Sequence, residues 1–294
     1  MVGLTSSFNS NQLDIAKNTK SLVPHDSIVI TEDNDFIVQG YPGNGAIDDP
    51  YIISNYEIIA SNSYGIFIID VTKCFTIRNC HIESNIDGTY IRNVFSNRTI
   101  IDGNTIENVG QHAICVMTST NFTVVNNELD NGGAFGTGIK IMAPNSIIEN
   151  NTVMNYYDGI ITYGDNEVIV NNSIASCGRY GILASDGMNI FISNNMFNEN
   201  LEDGIKLSTI DDSVIKNNSL IGNGGCGIEL TAVYDTEIFC NTIIENDNYG
   251  IDTLDTSQNI VFHHNYFFHN SLDFESHPQA SNGGSTNTSY NDNT

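Results

Sequence analysis

Asp158 and Asp203 open two matching tetrapeptide contexts, "YDGI" and "EDGI". Paired carboxylates are what a glycosidase uses, one as acid and one as base or nucleophile. Tyr180 and Lys206 stand close by in sequence. Tyr and Lys can move a proton, and Lys can also neutralise a sugar carboxylate, as lyases and epimerases of acidic sugars require. These four are the catalytic candidates. His112, Lys140, Tyr163, Arg179, Glu229 and Asp252 are the candidate substrate-binding residues around them. A separate acidic group near the start of the chain, Glu32, Asp33, Asp35, Asp48 and Asp49, offers several carboxylate oxygens. Such oxygens suit calcium. Their spacing does not follow an EF-hand loop, and a solvated acidic turn explains them equally. His263, His264 and His269 cluster late in the chain, with His277 beyond; imidazole is a common transition-metal ligand. Neighbouring residues of a strand point to opposite faces, which weighs against His263 and His264 acting together.

The elements that position these residues are read from a repeat. Gly-Ile recurs at Gly65, Gly138, Gly159, Gly181, Gly204, Gly227 and Gly250, with weaker members at Gly88-Thr89 and Ala113-Ile114. The steps run from 21 to 25 residues, so nine units cover 64–270. Within each unit two short alternating runs are separated by polar turns. Alternation with period two predicts strands. Short strands in a repeat of this length predict one coil of a parallel β-helix per unit. A strict six-residue repeat, the mark of a left-handed coil, is absent. The expected fold is therefore all-β, a right-handed single-stranded parallel β-helix of about nine coils.

Stacking predicts columns. One reads Cys80, Asn104, Asn127, Asn151, Asn172, Asn195, Asn218, Asn241, Asn265. Asparagine tolerates the backbone of a sharp turn and can bond to its neighbour one coil away, which predicts an asparagine ladder. A second closing column reads Asn85, Asn108, Asn131, Asn155, Cys177, Asn200, Asn223, Asn246, Asn270. Two apolar columns, Ile66 to Ile251 and Ile82 to Phe267, are expected inside.

These repeats resemble the NosD-like group of carbohydrate-binding and sugar-hydrolase β-helices. "DFIVQGYPGNGAIDDPYIISNYEI", from Asp35 to Ile58, resembles the lead-in of archaeal surface proteins of that group. Together the resemblance covers about residues 28–270. It implies a groove on a strand face, a polysaccharide or surface glycan as partner, and an extracellular or cell-surface location. Against an enzyme stand several departures. The Asp-Pro-His-Asp run of uronan epimerases is missing, the polygalacturonase residue set is incomplete, and no pectate-lyase calcium cluster can be matched. The expected reading is a carbohydrate-binding β-helix, with a lyase or hydrolase activity left open. The alternatives are a structural or adhesive module with a protein partner and a metal-binding accessory protein.

The columns also place the candidates. Outside the Gly-Ile strands run Phe67, Tyr90, Cys115, Lys140, Ile161, Leu183, Lys206, Glu229, Asp252. Before the glycines run Tyr64, Asp87, His112, Thr137, Asp158, Tyr180, Asp203, Cys226, Tyr249. Asp158 and Asp203 share a column two coils apart, so roughly 9–10 Å separates their backbones. That lies near the upper end of the inverting-glycosidase spacing. Asp before Gly is also ordinary turn chemistry. Phe67, Ile69, Cys115, Met117, Met142 and Ile161 are expected to form an apolar outer patch fit for a protein partner.

The net charge of -25, with 35 acidic and 10 basic residues, excludes a general nucleic-acid binder. No apolar stretch is long enough to span a membrane, and residues 1–30 lack the pattern of a signal peptide. The six cysteines show no metal spacing and are expected as buried free thiols. Residues 1–27 are expected to cap the first coil, with a short helix in "NQLDIAKNTKSL"; 28–63 form the lead-in and first partial coil, 64–274 the repeats, and 275–294 a disordered tail.

Overall fold

A computed structural model describes residues 21–254 and 257–276. It is a right-handed parallel β-solenoid of about ten turns. Three parallel sheets of 11, 11 and 10 strands run its length. The count exceeds the nine Gly-Ile units because a coil made by Val23–His25, Ile28–Ile30 and Tyr51–Ser54 precedes them. That coil has Ser27-Ile28 where later coils have Gly-Ile. A six-residue helix, Asp33–Val38, interrupts it and seats the buried Phe36 flat against Tyr51 at 4.7 Å. The short helix expected in "NQLDIAKNTKSL" and the expected tail fall largely or wholly outside the described residues. Among the described residues, no helix is long and apolar enough to cross a membrane.

We call the sheets the first, the Gly-Ile and the third, in chain order within a coil. The Gly-Ile register is the one the repeat predicts: Ile114 pairs with Ile139, Ile139 with Ile160, and Ile205 with Ile228. Ile66 and its equivalents through Ile251 are fully buried. The second apolar column, from Ile82, is buried through Ile243. The recurring glycines are there for close approach. A Cβ at Gly159 would stand 2.4 Å from Ile174 Cγ2 and 2.5 Å from the Gly181 carbonyl oxygen.

The Asn-Asn pairs divide two tasks between them. The first of each pair takes the left-handed turn, as at Asn126, Asn150, Asn171, Asn194 and Asn217, all with φ between 54° and 57°. Gly103, Cys240 and His264 fill the same column in other coils. The second of each pair turns inward and builds the ladder. Asn172 receives both the backbone N–H and the side-chain amide of Asn151 on Oδ1, at 2.9 and 3.0 Å. Its own side-chain amide donates to Asn195 Oδ1 and to the Ile148 carbonyl. Each buried amide is thereby satisfied, the condition for burying it without penalty.

The second asparagine column is a buried ladder in the later coils only. Asn200, Asn223 and Asn246 donate in turn to Asn223, Asn246 and Asn270. In earlier coils the expected members Asn108, Asn131 and Asn155 have positive φ and lie one place early. The buried ladder place in that coil is taken by Tyr156. The cysteines are free, five buried and Cys240 exposed. Cys240 departs from expectation because it occupies the left-handed turn column.

Candidate functional site

The Gly-Ile sheet brings the sequence candidates onto one face. Lys140 pairs with Ile161, Leu183 with Lys206, and Lys206 with Glu229, as the columns require. The column before the glycines is less exposed than expected. Asp87, Asp158, Asp203 and Cys226 are all buried. Its members reach along the solenoid to the next coil: Asp87 accepts from the His112 N–H at 2.9 Å and Asp203 from the Cys226 N–H at 2.7 Å. These acids therefore fasten coil to coil as well as facing the site.

Asp158 is held differently. The Arg179 fork binds both its oxygens, at 2.8 and 2.9 Å. Such a bidentate pair is strong and directional. The same guanidinium lies 5.0 Å from the Tyr157 ring and 4.6 Å from the Tyr180 ring. The Asp158 bond and, against it, burial leave the Arg179 pKa above its ordinary value. Lys206 continues the row, 5.1 Å from the Tyr180 ring and 2.5 Å from Glu229 Oε1. Burial opposes the Lys206 charge, and the Glu229 partner outweighs it, so its pKa rises. Burial raises the Tyr180 hydroxyl. Burial, reinforced by Glu229, pushes the Asp203 carboxyl up to about 6. Asp203, Cys226 and Glu229 gather ligand atoms within 4.8 Å of one another. The cation they attract is already supplied by Lys206.

His112 accepts the Thr137 N–H on Nδ1 at 3.0 Å. Its neutral ring therefore carries hydrogen on Nε2 and is a donor there. Burial, with Lys140 nearby, drives its pKa down to about 4, so the neutral form holds across the physiological range. Burial raises Asp87 to about 6. Lys140 is half-buried and makes no ion pair among the described residues. Tyr163 is half-buried at the far edge of the strand, and Asp252 is buried near the last coil. Tyr163 stands apart from the Arg179–Lys206 row, whereas Asp252 pairs with Glu229, the Lys206 partner, one coil on.

Three contributors were not among the sequence candidates. Phe135, 81% exposed, stands edge-on to Tyr157 at 5.6 Å. A phenylalanine in the glycine-rich turn "GGAFG" was its signal. Tyr157 was hidden beside Asp158, and Gly178 leaves room for its ring. Glu167 lies buried inside the corner after the Gly-Ile strand, where other coils have Ser146, Ser213 and Thr236. Thr162 donates to its Oε2, and burial pushes its carboxyl up to about 8.

The expected outer apolar patch is not an exposed one. Cys115 and Ile161 are buried, and Phe67, Ile69, Met117 and Met142 are half-buried. Tyr64, Phe67 and Tyr90 cover this end by packing on one another, Phe67 stacked on Tyr90 at 5.5 Å. The acids considered for calcium have other partners. Asp33 accepts from Thr72 and Lys73, and Asp35 from Thr31 and Glu32. With Asp48 and Asp49, they are in neither of the two groups of metal-ligating atoms found among the described residues.

This architecture defines a right-handed parallel β-helix. Residues 137–294 match the family described as right handed beta helix region, and residues 19–203 match periplasmic copper-binding protein (NosD). The chain belongs to these β-helix families. Among solved structures it is similar to the A-module of a mannuronan C-5 epimerase from Azotobacter vinelandii. That match has TM-score 0.60 and 13% identity, and covers 90% of each chain. An alginate lyase in complex with G6 matches with TM-score 0.60 and 12% identity, over 92% of this chain and 65% of that one. A DFA-IIIase from Arthrobacter chlorophenolicus matches with TM-score 0.53 and 12% identity, over 83% and 76%. No curated protein matches in sequence.

The family name raises copper, and the late histidines can be tested against it. His263 and His264 do meet, with Nδ1 atoms 2.6 Å apart, because the left-handed backbone of His264 breaks the strand alternation. The third neighbour, Glu237, sits on the opposite ring nitrogen of His263, at 2.8 Å. One ion cannot bind the facing nitrogens and Glu237 together in this arrangement. His263, His264 and Glu237 are not among the groups of metal-ligating atoms gathered among the described residues, and His277 lies outside those residues.

Proposed function

We propose that the chain is a periplasmic or extracellular carbohydrate-binding β-helix. Its glycan crosses the coils over Phe135, Tyr157, Arg179, Tyr180 and Lys206. The observation that carries this reading is the unbroken aromatic and cationic row, each member about 5 Å from the next. Aromatic faces suit the apolar faces of sugar rings, and the flanking Lys140, His112 Nε2–H and Tyr163 suit their hydroxyls. The fold relatives include proteins named for alginate and mannuronan, which supports a linear polysaccharide.

The charges favour a neutral or weakly acidic polymer over a dense polyuronate. Arg179 and Lys206 are engaged with Asp158 and Glu229, leaving Lys140 for a carboxylate. Hydrolysis is the narrower reading. Asp203, with a pKa near 6, would be the proton donor, beside Tyr180 and Lys206. Asp158 would be the second carboxylate, and both its oxygens would first have to leave Arg179. His112 is a hydrogen-bond donor in this scheme and not the base.

Affinity electrophoresis against neutral glucans, galactans, xylans and alginate tests the reading. Tyr157→Ala should weaken binding of the retained polymer by about tenfold, near the upper range for an aromatic contact. Lys140→Ala should weaken it less. Retention of no polymer by the native protein, or unchanged retention by Tyr157→Ala, would sink the proposal.

A further inference from the structure

We propose that His81, Glu83 and Glu107 form a divalent-metal site on the outside of the first sheet, away from the Gly-Ile face. The imidazole Nε2 lies 3.0 Å from Glu107 Oε1 and 3.8 Å from Glu83 Oε1. All three ligand atoms lie within 4.8 Å of one another. Bonds of about 2.0–2.2 Å to a common ion place its ligands roughly 3 Å apart or a little more. Small side-chain rotations therefore close the set.

The backbone holds these residues in place. His81 and Glu83 are two apart on strand His81–Ser84 and point outward together. His81 pairs with Thr105, which puts Glu107 beside Glu83 on the next strand, Thr105–Val109. Glu107 in turn pairs with Asp130. Three successive coils thus carry carboxylates in one column. Like charges opposite one another on a sheet are destabilising. The register shifts between Ile106 and Val109, at Glu107 itself; with carboxylates repeated on both sides of that irregularity, a bound cation would relieve the repulsion.

The protein supplies none from this sheet. Its strands, from Val23–His25 to Tyr266–Phe268, contain no Lys or Arg. The contrast with the Gly-Ile face is direct, since there Arg179 and Lys206 meet the acids. The three groups are half-buried, which weakens solvent screening without excluding an ion. A groove of about 1310 Å³ adjoins the site, lined by His81, Glu57, Asp102 and Glu128 among others. Three protein ligands leave coordination positions open toward that groove, for water or a ligand oxygen. One imidazole with two carboxylates suits zinc or manganese better than calcium, which takes six or more oxygens.

The test is calorimetric titration of the chelator-treated full chain with Zn2+ at neutral pH. One binding event is expected. Glu107→Gln, which keeps size and fold, should weaken it by about tenfold or more, and His81→Ala should abolish it. The double variant His263→Ala/His264→Ala should retain it. The proposal is overturned if the native chain takes up no zinc, if Glu107→Gln binds as the native protein does, or if the event is lost only with His263 and His264.

Discussion

The two outer faces are built on one coil and differ in the company their acids keep. On the Gly-Ile face, Asp158 has Arg179 and Glu229 has Lys206. Aromatic rings lie between the pairs, so charge is neutralised within the protein. On the first sheet, Glu83 and Glu107 share the His81 imidazole, and Asp130, next in the column, accepts among the described residues only from the neutral Asn155 amide. The scaffold itself does not distinguish the faces, since each stands on its own unbroken buried column, Ile66 to Ile251 and Ile82 to Ile243. The difference teaches that a repeat fixes where a side chain points and leaves its chemistry to individual coils. On one face the acids are neutralised by basic side chains set among aromatic rings; on the other they have only an imidazole and an amide.

The largest expected effect comes from beneath the Gly-Ile face. Glu167 is raised from 4.5 to about 8. The unfolded chain therefore loses this proton first. The Glu167 contribution is full below about pH 4.5 and is lost as pH rises toward 8. At pH 8 the cost is on the order of 4 kcal/mol. Asp87 and Asp203, raised to about 6, act in the same sense over a lower window. The native protein should lose stability between pH 5 and pH 8 in urea unfolding, and Glu167→Gln should remove much of the slope. A variant no more stable than the native protein at pH 8 would refute the assignment.

Next in size is Arg179→Ala. It leaves a buried carboxylate without its partner and should cost about 3 kcal/mol. Glu107→Gln, made on the other face, should fall within about 0.5 kcal/mol of the native protein or stabilise it, because it relieves repulsion. Thermal unfolding of the two without added metal would measure the contrast. Equal losses would mean that the faces are not electrostatically different.

Much of this was legible in the sequence for a physical reason. The solenoid repeats its registers, so a single column such as Ile66 to Ile251 fixes the inside, and with it every outward position. Lys140 and Lys206 were placed that way, and Arg179 beside them by its position next to Tyr180. What could not be read was depth. Asp158 and Asp203 occupy a column that looks outward in projection, yet the turn folds them under the next coil. The ladder column was read on the second asparagine of each pair, as found, but the sharp turn was assigned to that same residue, whereas the first asparagine takes the left-handed backbone. Phe135 and Tyr157 lie in turns of irregular length, where the period gives no register. The His81 cluster joins two coils through side chains, and neither strand alone carries a ligand motif.

The smallest expected effect sharpens the chemistry of the Gly-Ile face. The His112 pKa falls from 6.5 to about 4. The folded protein favours the neutral ring, so this contribution is full above pH 6.5 and is lost as pH falls toward 4. The ring is only half-buried, and solvent screening reduces the effect to about 1 kcal/mol. Stability alone is a weak readout at that size, and NMR titration of the ring is direct. The imidazole should remain neutral at pH 5.5, with its hydrogen on Nε2, because the Thr137 N–H already occupies Nδ1. In that state the ring offers a glycan a donor and cannot abstract a proton. A midpoint near 6.5, or hydrogen on Nδ1, would remove His112 from the binding face as drawn and reopen it as a base.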